Sequence, residues 1–168
     1  MKHGKIKIFT GTGRGKTPAA LGLALQTAAG GGQVTIIQFL KGRGLGESEF
    51  VKRLEPEIKL FRFEKAEDCF DDLSEEEKKE AIMNIKNGLG FARKVLSTGE
   101  CDLLVLDEVL GLVDNKIITV DELKEILGAR SESTTIVLTG ITLSDDICML
   151  ADEVSKLETV KMKKWEDM

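Results

Sequence analysis

At 168 residues the chain is long enough for one domain with a sizeable core, and its 42% hydrophobic and 32% charged residues are ordinary for a soluble globular protein. A net charge of −5 argues against a general nucleic-acid binder, which carries a basic face. No apolar stretch approaches a membrane span, and Met1-Lys2-His3-Gly4-Lys5 leads straight into an apolar run without a signal peptide, so the expected compartment is the cytoplasm.

Cys69, Cys101 and Cys148 lie far apart with no paired spacing, and His3 is the only imidazole, which argues against a zinc site. Cys101 and Cys148 read as small buried or half-buried thiols in a reducing compartment.

The apolar run Ile6 to Phe9 predicts a first strand, and Ala19 to Ala29 a helix. Between them lies Thr10-Gly11-Thr12-Gly13-Arg14-Gly15-Lys16-Thr17. Strand, glycine-rich turn and helix, with Gly-Lys-Thr at the junction, is the context of a phosphate-binding loop, although Thr10 stands where the full pattern has glycine. The glycines let backbone N–H groups curl around an anion, and the helix start adds donors and the positive end of its dipole. Gly11, Thr12, Gly13, Arg14, Gly15, Lys16 and Thr17 are therefore candidate nucleotide contacts. Lys16 can bridge phosphate oxygens, and the Thr17 hydroxyl can bind magnesium (or manganese) shared with them. Pro18 falls in the first helical turn, where its missing N–H breaks no internal bond.

Gly30-Gly31-Gly32 ends the helix, and Val34 to Leu40 reads as a buried parallel strand. Lys41 and Arg43 follow in a second glycine-rich stretch, at the strand end where open α/β sheets bind ligands. Lys41 is a candidate phosphate contact; Arg43 is either that or a solvated loop charge. A short helix over Glu47 to Leu54 and a third strand over Ile58 to Phe63 come next. Glu64 to Leu73 is irregular and acidic, with Phe70 at its centre.

Ser74 to Glu77 is a capping box opening the longest helix, with Ile82, Ile85, Leu89, Ala92 and Leu96 on its core face and Gly99 at its end. Asp102 to Glu108 is an apolar strand ending in Asp-Glu, which places carboxylates beside a phosphate loop. Asp107 is the candidate magnesium ligand, and Glu108 a second ligand or a base. A helix opening at Thr119, a fifth strand over Thr134 to Gly140, a helix over Ser144 to Ala151 and a weak strand over Glu153 to Val160 complete the chain. Strands alternating with helices predict a single α/β domain over 1–168, a mostly parallel sheet of about five to six strands with helices on both faces, of the RecA-like P-loop NTPase type.

Taken together the chain resembles the P-loop family of ATP:corrinoid adenosyltransferases. The likeness is carried in order by Phe9 to Thr17, by Gln38-Phe39-Leu40-Lys41-Gly42 with Gly46-Glu47, by Leu104 to Glu108 and by Leu138-Thr139-Gly140. It implies transfer of the 5′-deoxyadenosyl group of ATP to a reduced corrinoid: cobalt in the +1 state attacks the ribose 5′ carbon and intact triphosphate leaves. The nucleophile belongs to the corrinoid, so the protein has to hold the triphosphate and neutralise its charge. The resemblance also implies a homodimer, a partner reductase, and an aromatic residue that displaces the corrinoid's lower axial ligand. Phe70 stands in that segment, where the other reading is a hydrophobic anchor for a polar loop. Thr12, Arg14, Pro18 and Ile141 differ from the residues usual in the family. Two further readings stay open: a RecA-like ATPase with Glu108 activating water, and a diverged module that holds ATP or a corrinoid without turnover.

Overall fold

The computed structural model describes residues 3–40, 48–63 and 69–163. Its elements are β1 (Ile6–Thr10), α1 (Lys16–Ala29), β2 (Val34–Gln38), α2 (Ser48–Lys52), β3 (Ile58–Arg62), a single 3₁₀ turn (Phe70–Asp72), α3 (Glu75–Thr98), β4 (Leu103–Asp107), α4 (Val109–Asp114), α5 (Val120–Gly128), β5 (Thr135–Thr139), α6 (Asp145–Cys148) and β6 (Glu153–Lys156). The strands form one sheet in the order β3-β2-β4-β5-β1-β6, every adjacent pair parallel. This is the α/β architecture expected from the alternation of elements.

A parallel sheet covered on both faces needs two apolar layers, and the period-two alternation of its strands supplies them. Ile37, Leu104, Leu106, Ile136 and Leu138 join α3, α4, α5 and α6 in one core cluster, through Ile85, Leu89, Leu110, Leu123 and Ile147 among others. Val34, Ile36, Leu103, Val105 and Val137 point the other way, onto Ala20 and Ala24 of α1 and Val51 of α2. Alanines on the buried side of α1 let that helix lie close to the sheet.

Helix ends follow their local chemistry. Ser74 and Glu77 form both bonds of the capping box, Thr119 and Glu122 form another, and Gly99 caps α3 in the left-handed region. Several expectations change. The core face of α3 is Ala81, Ile85, Gly88, Leu89, Ala92, Val95 and Leu96, with Ile82 only half-buried. The segment after Glu108 folds back into α4, a turn not expected from the sequence. Helix α6 is shorter than 144–151, and β6 stops at Lys156 instead of Val160, because Leu157 turns across the loop after β1. Cys101 is buried, but Cys148 is exposed.

Candidate functional site

The loop after β1 closes onto the N-terminus of α1 through Gly11 and Gly15, at φ 108° and 106°, a region that side chains with a Cβ rarely adopt. Lys16 begins the 14-residue helix α1 and folds back over the loop, its Nζ donating to the carbonyls of Gly11 and Gly13 at 2.8 Å each. The ammonium is thereby held at the crown of the loop, beside the positive end of the helix dipole.

Below it lies a polar row. On the α1 face, Val34 and Ile36 of β2, Leu103 and Val105 of β4 and Val137 of β5 are followed at the last position by Gln38, Asp107 and Thr139. Asp107 is fully buried. Its Oδ1 accepts from Thr139 Oγ1 at 2.7 Å and from Thr17 Oγ1 at 3.0 Å, and its Oδ2 lies 3.1 Å from Thr17 Oγ1 and 3.3 Å from the donor Gln38 Nε2. Strand β5 lies between β4 and β1, so those two strands are about 10 Å apart. The loop and α1 span that gap above β5. Thr139 also accepts the Glu108 N–H at 2.7 Å, and Glu108 itself sits at φ 64°, turning its half-exposed side chain away from the strand direction.

The strands' neighbours hold the loop from outside. The Ile141 carbonyl accepts from Gly11 N at 3.1 Å and from Thr10 Oγ1 at 3.0 Å. The chain after β6 crosses the loop: Leu157 N donates to the Thr10 carbonyl, Gly13 N donates to the Leu157 carbonyl at 2.9 Å, and Arg14 N donates to Thr159 Oγ1 at 3.0 Å.

Of the candidates named from the sequence, Gly11, Gly13, Gly15, Lys16, Thr17, Asp107 and Glu108 converge on this one edge of the sheet. Thr12 and Arg14 are exposed on the same loop. Phe70 lies apart in the 3₁₀ turn before α3, half-buried, with its ring facing Lys78 Nζ at 5.9 Å. Lys41 and Arg43 lie outside the described residues. The sequence reading left three participants unassigned: Gln38 and Thr139 as partners of Asp107, and the strap Leu157 to Thr159. The strands' alternation signalled the first two, since 38, 107 and 139 continue the apolar α1-face positions 36, 105 and 137; nothing local signalled the strap.

The donor set suits a hard cation. Among the described residues no group of three or more His, Cys, Asp or Glu side chains comes together, so a metal here would combine the Thr17 hydroxyl and a carboxylate with water and ligand oxygens, which is the manner of magnesium. The buried oxygen Gln38 Oε1, without a hydrogen-bond partner among the described residues, fits a site that holds additional polar atoms when filled.

Several known proteins are similar to this chain. The family model described as ATP:corrinoid adenosyltransferase BtuR/CobO/CobP matches residues 2–167. The corrinoid adenosyltransferase of Escherichia coli K12 is 32% identical over 95% of this chain and 79% of its own length. That of Salmonella typhimurium LT2 gives the same figures, and one from Pseudomonas aeruginosa is 26% identical over 95% of this chain and 77% of its own. Among solved structures, a KaiC-like protein of Pyrococcus horikoshii superposes with a TM-score of 0.58 at 16% identity, over 97% of this chain and 77% of that one, which shows that the two share an α/β fold. With the family model spanning nearly every residue, the chain belongs to the ATP:corrinoid adenosyltransferase family.

Proposed function

We propose that this protein transfers the 5′-deoxyadenosyl group of ATP to the cobalt(I) centre of a corrinoid and releases triphosphate. The observation that carries the reading is the convergence of Lys16, Thr17 and Asp107 at one sheet edge, under a loop that opens a 14-residue helix. An ammonium held by two carbonyls and a helix N-terminus suit a highly charged anion.

The cobalt(I) electron pair forms the bond to the ribose 5′ carbon. The bond from that carbon to the triphosphate oxygen breaks, and its electron pair leaves with the triphosphate. Lys16 and Arg14 neutralise the charge gathering on that leaving group, and the first turn of α1 orients it. Because Gly13 N and Arg14 N already donate to the strap, the amides of the helix start carry more of the anion contact than they would in an uncovered loop. Thr17, Asp107 and Glu108 would hold a magnesium ion, which when bound offsets the phosphate charge. Thr139 keeps Asp107 oriented and fixes the turn that carries Glu108.

On the corrin side the proposal assigns Phe70, half-buried and placed before α3, to the lower axial face, and Lys41 to the phosphates. A homodimer, an electron-donating reductase and a cytoplasmic location belong to the same reading.

The test is anaerobic: protein, ATP, magnesium and chemically reduced cobalamin, followed optically with identification of the phosphate product. Light-sensitive adenosylcobalamin with intact triphosphate, both lost in Lys16→Ala, is the expected result. Orthophosphate without a cobalt–carbon bond overturns the reading in favour of a RecA-like ATPase, and ATP binding without either product makes the protein a binding module.

A further inference from the structure

Gln38 is 2% exposed, at the carboxyl end of β2 and in register with Asp107 of β4. Its Nε2 donates to Asp107 Oδ2 at 3.3 Å, and its Oε1 is the one buried side-chain nitrogen or oxygen atom without a hydrogen-bond partner among the described residues. The opposite amide orientation would set two acceptor oxygens against each other, so the Asp107 carboxylate itself fixes which way the amide carbonyl faces. A buried acceptor left unpaired is costly, and a native chain that keeps one at a site edge commonly meets its donor in a ligand or water.

The polar groups around this oxygen narrow the choice of donor. Thr17 and Thr139 both direct their hydroxyls to Asp107, Gln38 Nε2 donates to the same carboxylate, and Arg62, in register with Gln38 on β3, makes no hydrogen bond to this oxygen. Triphosphate supplies acceptors, not donors. A magnesium ion keeps several waters when bound by one or two protein oxygens, and those waters are strong donors. We propose that Gln38 is a positioning residue whose Oε1 accepts a hydrogen bond from a water on the divalent cation that Thr17 and Asp107 would hold, while its Nε2 orients Asp107. This rests on the metal–triphosphate reading of the same site. The residue thus acts at both ends of its amide, and both ends serve the cation.

The experiment measures Mn2+ binding by electron paramagnetic resonance, with ATP present and no corrinoid, in wild type, Gln38→Met and Gln38→Glu. Methionine keeps the length of the side chain and removes both amide functions. Glutamate removes the donor to Asp107 but restores an acceptor. The expected result is Mn2+ affinity weakened about tenfold in Gln38→Met, in the range for loss of an outer-sphere partner, with metal-free ATP binding unchanged. Gln38→Glu is expected to stay within about threefold of wild type and to gain thermal stability from Mn2+ and ATP to a matching extent. Unchanged Mn2+ affinity in Gln38→Met, or an equal loss in both variants, overturns the proposal and leaves Gln38 a purely structural donor. If Gln38→Met does not fold, Gln38→Leu, which also lacks both amide functions, takes its place with the same expected and overturning results. Wild-type protein that binds ATP without taking up Mn2+ overturns the metal reading itself, and the variants are not needed to see it.

Discussion

Thr17 and Asp107, ninety residues apart in the chain, meet with the Thr17 hydroxyl 3.0 and 3.1 Å from the two carboxylate oxygens. One residue lies in the first turn of the helix after β1, and the other ends a strand that is not β1's neighbour. Their meeting joins the anion-binding part of the site to its acidic part, and its removal separates two effects.

In Asp107→Ala, Thr17, Thr139 and Gln38 all lose their shared acceptor in a place closed to solvent. Stability is expected to fall by about 2–4 kcal/mol, read from the urea midpoint, along with loss of adenosyl transfer. Thr17→Ser keeps the hydroxyl and is expected to retain most activity, whereas Thr17→Ala leaves the fold nearly as stable and depresses turnover.

The Lys16 ammonium is bonded only to loop carbonyls among the described residues, so its loss leaves the core untouched. Lys16→Ala is expected to lower kcat/KM for ATP by about 10²–10³-fold while moving the melting temperature little. A large drop in thermal stability would instead assign Lys16 to holding the loop together.

A methyl group on Gly13 would lie 2.5 Å from the Leu157 carbonyl oxygen and 2.7 Å from Glu158 Cα, both backbone atoms. The strap cannot yield by rotating a side chain. Gly13→Ala is therefore expected to detach residues 157–159 from the loop, with faster tryptic cleavage at Lys161 and Lys163 as the readout. Equal cleavage rates in variant and wild type would show that the loop, not the strap, moves aside.

Burial pushes the Cys101 thiol up from 9.0 to about 11; a hydrogen bond with Thr35 pulls it partly back, and the charges of Asp102 and Glu100 add to the rise. At pH 8 a thiol reagent is expected to modify the exposed Cys69 and Cys148 and to reach Cys101 only after unfolding. The folded chain keeps this proton longer than the unfolded chain does. The contribution to stability is thus complete below about pH 9 and is lost as pH rises through about 11. Urea midpoints at pH 8 and pH 10 should fall more steeply in wild type than in Cys101→Ala.

Local chemistry was enough to place the strands, the capped helix α3 and the phosphate loop. Each rests on neighbours in sequence: alternating apolar residues, Ser74 three residues before Glu77, glycines before Lys16 and Thr17. The same local rules failed where a distant partner decided the outcome. Glu108 turns into α4 because Thr139 holds its N–H, and β6 ends at Lys156 because Leu157 and Thr159 are drawn onto the loop. Ile82 was assigned to the α3 core by spacing alone, but the sheet meets the helix along Ala81, Ile85 and Gly88.

By itself, then, the sequence determined which segments become strands and helices and which residues can carry anion and metal chemistry. Periodicity, capping and glycine spacing act within a few residues. Only the tertiary structure decided that Gln38, Asp107 and Thr139 form one row beneath α1, and that the segment after β6 lies across the loop. Strand order brings those residues together, and strand order depends on how two apolar layers bury against a common sheet, not on any local run of residues.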